Sequence, residues 1–108
     1  MVSNAPGSYP YRVVLSEEVA DSVRELHRRA MDQGRGEQFL AALRVAVDRM
    51  RMNPNAFGDP NYRLPALHLT VRCAAISPMG FHFAVHEYQP IVFLTSIKLM
   101  SQGPSKPD

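Results

Sequence analysis

The stretch GFHFAVHEYQ, residues 80 to 89, carries two of the four histidines of the chain and a tyrosine. At the strand period of two, His82, Ala84, His86 and Tyr88 point one way, and Phe81, Phe83, Val85 and Glu87 point the other. Imidazole takes up and releases a proton near neutrality, so two histidines on one face are candidate acid–base equipment. Cleaving RNA without a metal needs such equipment. A base removes the 2′-OH proton, an acid protonates the leaving 5′-oxygen, and a cation balances the charge on the phosphorane.

Carried into LHLTVRCAAI (67–76), the same alternation predicts Leu67, Leu69, Val71, Cys73 and Ala75 on one face, and His68, Thr70, Arg72 and Ala74 on the other. In IVFLTSIKLM (91–100) it places Ser96 and Lys98 with Val92, Leu94 and Met100. If helices cover the apolar faces, then His68, Arg72, His82, His86, Tyr88 and Lys98 gather on an open side. The expected roles are His82 or His86 as base or acid and Arg72 as phosphate clamp. Tyr88 would stack on a base or donate a proton. Arg63, Lys98 and His68 would bind RNA phosphate. The same residue types also serve as plain amphipathic filler on a solvated strand, and that alternative stays open. No metal is expected: His82 and His86 stand four apart, and no carboxylate joins their face. Cys73, on the predicted apolar face, reads as a small buried hydrophobe.

These strands need elements to position them. YRVVL (11–15) is β-branched and reads as a short strand. Ser16 is a good helix N-cap, with Glu17 and Glu18 in the first turn where the helix dipole favours carboxylates. Val19, Val23, Leu26 and Ala30 then form one stripe, which predicts a helix over 17–32 that ends at Gly34. Phe39, Leu43, Ala46, Val47 and Met50 repeat the pattern over 37–52, until Asn53-Pro54 breaks it. The cluster His27, Arg28, Arg29 and Arg35 reads as a solvated helix end, and GRG (34–36) as a turn.

Beyond a loop expected at NPNAFGDPN lie the strands 67–76, 81–88 and 91–100, joined by a type I turn at Ser77-Pro78-Met79-Gly80 and by Gln89-Pro90. The predicted fold is a two-layer α+β domain. It has one N-terminal strand, an antiparallel helical hairpin and a C-terminal antiparallel meander of three to four strands.

At 108 residues, 45% hydrophobic and 20% charged, the chain has room for one domain, expected over 11–100 between flexible tails at 1–10 and 101–108. A formal net charge of +2 permits a polyanionic partner without requiring one. The single cysteine excludes an internal disulfide and suits a reducing compartment. No apolar run approaches the length of a membrane span and no signal peptide is visible, so the expected location is cytoplasmic.

The order of elements resembles the RelE/ParE superfamily of bacterial toxins over residues 11 to 100. YRVVLSEEVADSVREL resembles the opening strand and capped first helix of that family. GEQFLAALRVAVDRMRMNP resembles its second helix and exit, and YRLP followed by the meander completes the match. The resemblance implies the toxin of a type II toxin–antitoxin pair, with a cognate antitoxin as partner and no cofactor. RelE-like members are metal-independent endoribonucleases that cleave mRNA on the ribosome. ParE-like members are non-catalytic and poison DNA gyrase, and a non-toxic homo-oligomer or homodimer is a third possibility. Here IKLM and a proline-rich tail replace the basic or aromatic ending common in the family.

Overall fold

The computed structural model describes residues 10–100. Strand β1 (Arg12–Leu15) leads into helix α1 (Glu17–Asp32) and helix α2 (Gly36–Met52). Four strands follow: β2 (Asp59–Leu64), β3 (Leu69–Ile76), β4 (Met79–His86) and β5 (Ile91–Leu99). They form one five-stranded sheet in the order β1-β5-β4-β3-β2, with β1 parallel to β5 and every other pair antiparallel. The expected α+β order of strand, two helices and meander is present, and the meander has four strands. The predicted tails fall outside the described residues, Pro10 excepted.

The helices form where the sequence patterns them. Ser16 caps α1, its side-chain oxygen accepting the Val19 N–H at 3.1 Å. Gly34, at φ 72°, lets the chain reverse between the helices. Arg35 is buried in that reversal, and its guanidinium donates to the Met100 carbonyl at 3.1 Å, tying the hairpin to the end of β5.

Val19, Leu26 and Ala30 of α1 and Phe39, Ala42, Ala46 and Met50 of α2 pack on one face of the sheet. That face presents Met79, Phe81, Phe83 and Val85 from β4 and Val92, Leu94 and Ile97 from β5. Phe39, Phe81 and Phe83 are fully buried, and each such side chain contributes about 1.5–3 kcal/mol by leaving water. The opposite face of the sheet carries no helix of the described chain.

Several expectations are corrected. Asp59, Pro60 and Asn61 begin β2 instead of ending a loop. Because β2 is an edge strand, Pro60 is tolerated there without a ladder donor. Leu67 and His68 precede β3, and His68 adopts the left-handed conformation at φ 57°. The β3–β4 turn centres on Ser77-Pro78, one residue earlier than predicted, with Ile76 opposite Met79 and a cis Ser77–Pro78 bond. Tyr88 lies beyond the end of β4, so strand alternation does not set its direction.

The largest correction concerns β3. Thr70, Arg72, Ala74 and Ile76 pair with Val85, Phe83, Phe81 and Met79, so they face the helices. Leu69, Val71, Cys73 and Ala75 pair with His86, Ala84, His82 and Gly80 on the open side. The predicted faces of this strand are therefore exchanged. In β5 the register shifts so that His82 pairs with Ser96 and Phe83 with Leu94, leaving Thr95 as an extra residue. That bulge puts Val92 and Leu94 on the same inner side as Ile97, and Ser96 and Lys98 on the outer side with His82. The expectation that Lys98 shares a side with Val92 and Leu94 fails for this reason.

Candidate functional site

The open face holds two separate polar groups. The first lies where β3 begins and β4 ends. His86 is the last residue of β4 and pairs with Leu69. His68 is exposed just ahead of β3, held by its own carbonyl, which accepts the Glu87 N–H at 2.8 Å. Tyr88, 76% exposed, completes the group. Ring centroids are 5.0 Å apart for His68 and Tyr88, and 6.2 Å for both His68–His86 and His86–Tyr88. Nδ1 of His86 accepts the backbone N–H groups of Tyr88 and Gln89, each at 3.1 Å.

An ion pair braces this group from the other side of the chain. Arg63 of β2 grips Glu87 in two-pronged fashion, Nε to Oε2 at 2.7 Å and Nη2 to Oε1 at 3.0 Å. The Thr70 hydroxyl donates to the same Oε2 at 3.2 Å. Hydrogen bonding to Arg63 is the main reason the Glu87 carboxyl is held below its ordinary pKa, with Thr70 and the nearby His68 adding to it against a desolvation cost. The Arg63 guanidinium is raised in turn, chiefly by its hydrogen bond to Glu87.

The second group centres on His82. Register places Asp59, Cys73, His82 and Ser96 in one row across β2, β3, β4 and β5. Asp59, Cys73, His82, Lys98 and Met100 line a shallow concavity of about 310 Å³ over Gly80. Cys73 is half-buried in this outward position and so is not the enclosed hydrophobe expected. His82 and His86 are four residues apart on one strand, about 13 Å at 3.3 Å per residue. The two groups therefore cannot serve one phosphodiester together.

Arg72 belongs to neither group. It is buried on the helix side, donating Nε–H to the Phe57 carbonyl at 3.0 Å and Nη2–H to the Gly58 carbonyl at 2.9 Å. A phosphate clamp must offer its N–H groups to solvent, whereas this side chain is buried and two of its N–H groups are engaged within the fold. The expected open-face role of Arg72 is thus corrected to an internal one.

Of the residues predicted to meet on the open face, the structure brings His68, His86 and Tyr88 together, sets His82 with Lys98 farther along, and removes Arg72. Arg63 lies across from Thr70, committed to Glu87. Sequence reasoning overlooked Asp59 and Glu87 and placed Cys73 on the wrong face. A signal for Cys73 existed: any two-residue hairpin pairs an odd position with an even one, which joins the Cys73 face to that of His82.

Among the described residues, no cluster of three or more His, Cys, Asp or Glu side chains is arranged to hold a metal ion. No helix among them is long and apolar enough to cross a membrane. Compared with protein-family models, curated proteins and solved structures, the chain matches none.

Proposed function

We propose that the chain is a RelE-like toxin of a type II toxin–antitoxin pair, held in check by a cognate antitoxin in the cytoplasm. Its action on RNA runs through the open face of the sheet, as a metal-independent endoribonuclease on ribosome-bound mRNA. The observation that carries this reading is the solvent-facing cluster of His68, His86 and Tyr88, with centroids 5.0 to 6.2 Å apart. Exposed rings offer stacking platforms worth about 1–3 kcal/mol per unpaired base. His68 and His86 stand close enough to flank a single phosphodiester, where one proton acceptor takes the 2′-OH proton as that oxygen attacks phosphorus and then gives it to the departing 5′-oxygen. Lys98, with His82, would hold the strand farther along the same face.

Induction in a bacterial host tests this reading. The expected outcome is growth arrest with cleavage of ribosome-bound mRNA, both abolished by His68→Ala and preserved in large part by His82→Ala. Arrest that persists undiminished in His68→Ala and His86→Ala would sink the ribonuclease assignment.

A second reading is a non-catalytic ParE-like binding module, aimed at gyrase or another protein, or a non-toxic homo-oligomer. What favours it is the commitment of both nearby arginines, Arg72 to backbone carbonyls and Arg63 to Glu87. Tyr62, Leu64 and Leu67 are also exposed beside the ring cluster, at 54%, 36% and 59%. Such side chains suit a protein contact. Arrest without RNA cleavage, relieved by Leu67→Asp, would select this reading. No arrest at all would select the homo-oligomer.

A further inference from the structure

His86 does not have the freedom that acid–base work requires. Its Nδ1 faces two backbone N–H groups, those of Tyr88 and Gln89, at 3.1 Å each. A ring nitrogen that accepts must present its lone pair, so the ring proton resides on Nε2. A second proton on Nδ1 would set an N–H against two N–H donors and release the bend at residues 87–90. Nε2, carrying hydrogen, has no lone pair with which to act as a base. His68 differs: its ring is exposed against Tyr88 and His86, and among the described residues it caps no backbone N–H.

We propose that His86, its tautomer set by the Tyr88 and Gln89 N–H groups, is an Nε2–H donor to a phosphate oxygen of bound RNA, and that His68 is the member of the cluster that moves a proton, taking it from the attacking 2′-OH and returning it to the leaving 5′-oxygen. The inference rests on the RNA reading above and divides the labour within that site. A fixed neutral imidazole donor stabilises charge that develops on an oxygen without transferring its own hydrogen. The charged and titratable groups around His86 are His68 and Tyr88 at its own end of the open face and the Arg63–Glu87 pair across the chain. Leu69, opposite it on β3, brings no charge. The cap also aims Tyr88, so His86 both touches the ligand and orders the bend beside it.

The test uses the full chain and a single-stranded oligoribonucleotide of about eight nucleotides, within the usual range of site sizes. Long-range proton–nitrogen NMR correlations, recorded at about pH 8 where an ordinary imidazole is neutral, report which ring nitrogen carries hydrogen. The expected result is a His86 ring in the Nε2–H form, with its Nε2–H signal shifted by RNA. A His86 that carries hydrogen on Nδ1 overturns the inference whatever RNA does. RNA shifts at His68 and Tyr88 but none at His86 Nε2–H overturn it while leaving RNA binding intact. An oligonucleotide that moves no signal removes the RNA reading, and the inference with it.

His86→Asn gives a second readout. Its side-chain oxygen leaves the same Cγ as Nδ1 and keeps an acceptor for Tyr88 and Gln89. RNA affinity should fall about tenfold, the loss of one hydrogen bond to a charged group, with Tm and the shape of the pH profile unchanged. Loss of one limb of that profile would assign proton transfer to His86 and overturn the proposal.

Discussion

Arg72 donates its Nε–H to the carbonyl oxygen of Phe57 at 3.0 Å, from beneath the sheet and not from its open face. Together with the bond to Gly58 at 2.9 Å, this fixes the chain that enters β2. Phe57 in turn stacks on Phe83, the cross-strand partner of Arg72, at 5.5 Å. The guanidinium therefore joins β3, β4 and the segment before β2 into one packed unit.

Arg72→Leu should destabilise the protein by about 2–4 kcal/mol, because two carbonyls lose a charged donor and stay enclosed. Arg72→Lys should recover little of that loss, since one ammonium cannot reproduce the two-pronged fork. Denaturant titration checks both. A variant with unchanged stability but lost RNA binding would instead return Arg72 to the functional surface.

Gly58 and Gly34 share a positive φ, 70° and 72°, but differ in surroundings. A Cβ on Gly58 would lie 2.2 Å from the Cys73 carbonyl oxygen, whereas one on Gly34 meets nothing within 4 Å. Gly34→Ala should cost about 1–2 kcal/mol, the ordinary penalty of a left-handed L-residue. Gly58→Ala should cost clearly more, because backbone must also shift between β2 and β3. Equal losses for the two variants in denaturant unfolding would contradict the close approach.

The Glu87–Arg63 clip should make stability depend on acid. The Glu87 carboxyl is held below its ordinary value of 4.5, chiefly by its hydrogen bond to Arg63, so its contribution is present above that value and disappears as pH falls through the lower folded-state value. Tm should therefore drop on acidification below pH 4.5, and Glu87→Gln should flatten part of that drop. Thermal unfolding across the acid range measures it. A wild-type-like drop in the Gln variant would show that other carboxylates carry the effect.

Deleting Thr95 should be tolerated. The residue is the extra one in the β5 bulge, and its removal leaves Leu94 and Ile97 inward and Ser96 and Lys98 outward. The loss includes the hydrogen bond from the Thr95 hydroxyl to the His82 carbonyl at 3.1 Å, so a cost of about 1–2 kcal/mol is expected. Deleting Ala75 from the regular β3 should instead turn one part of that strand inside out and abolish cooperative folding. Circular dichroism melts distinguish the two.

His82→Ala and His86→Ala should weaken RNA binding additively, since about 13 Å separates them along β4 and they share no partner. Fluorescence anisotropy with the single and double variants provides the comparison. A double variant no worse than His86→Ala alone would merge the two groups into one site.

Much of the architecture is legible in local chemistry. The Ser16 cap, the acidic first turn and the stripe Val19–Val23–Leu26–Ala30 specify α1 without reference to anything distant. Asn53-Pro54 ends α2 by backbone sterics alone. Phe81, Phe83 and Val85 alternate with weaker hydrophobes, and that alternation alone puts them inward. These features depend on contacts within a few residues, which is the range over which sequence pattern speaks.

Position across the sheet is decided otherwise. In LHLTVRCAAI residue type points the wrong way: the more apolar set, with Leu69, Val71 and Cys73, faces outward, while Thr70 and Arg72 face the helices. The choice falls to register, set by the Ile76–Met79 turn and by two carbonyls, those of Phe57 and Gly58, that arrive from another segment. The Thr95 bulge likewise exists only relative to β4, where His82 and Phe83 are opposed by one residue too many. His68 and His86 lie 18 positions apart and meet because β3 and β4 are antiparallel. Which histidines are available is written in the chain itself. Tertiary pairing decided which of them share a site, because a strand alternates by one residue while its partners are chosen by the whole sheet.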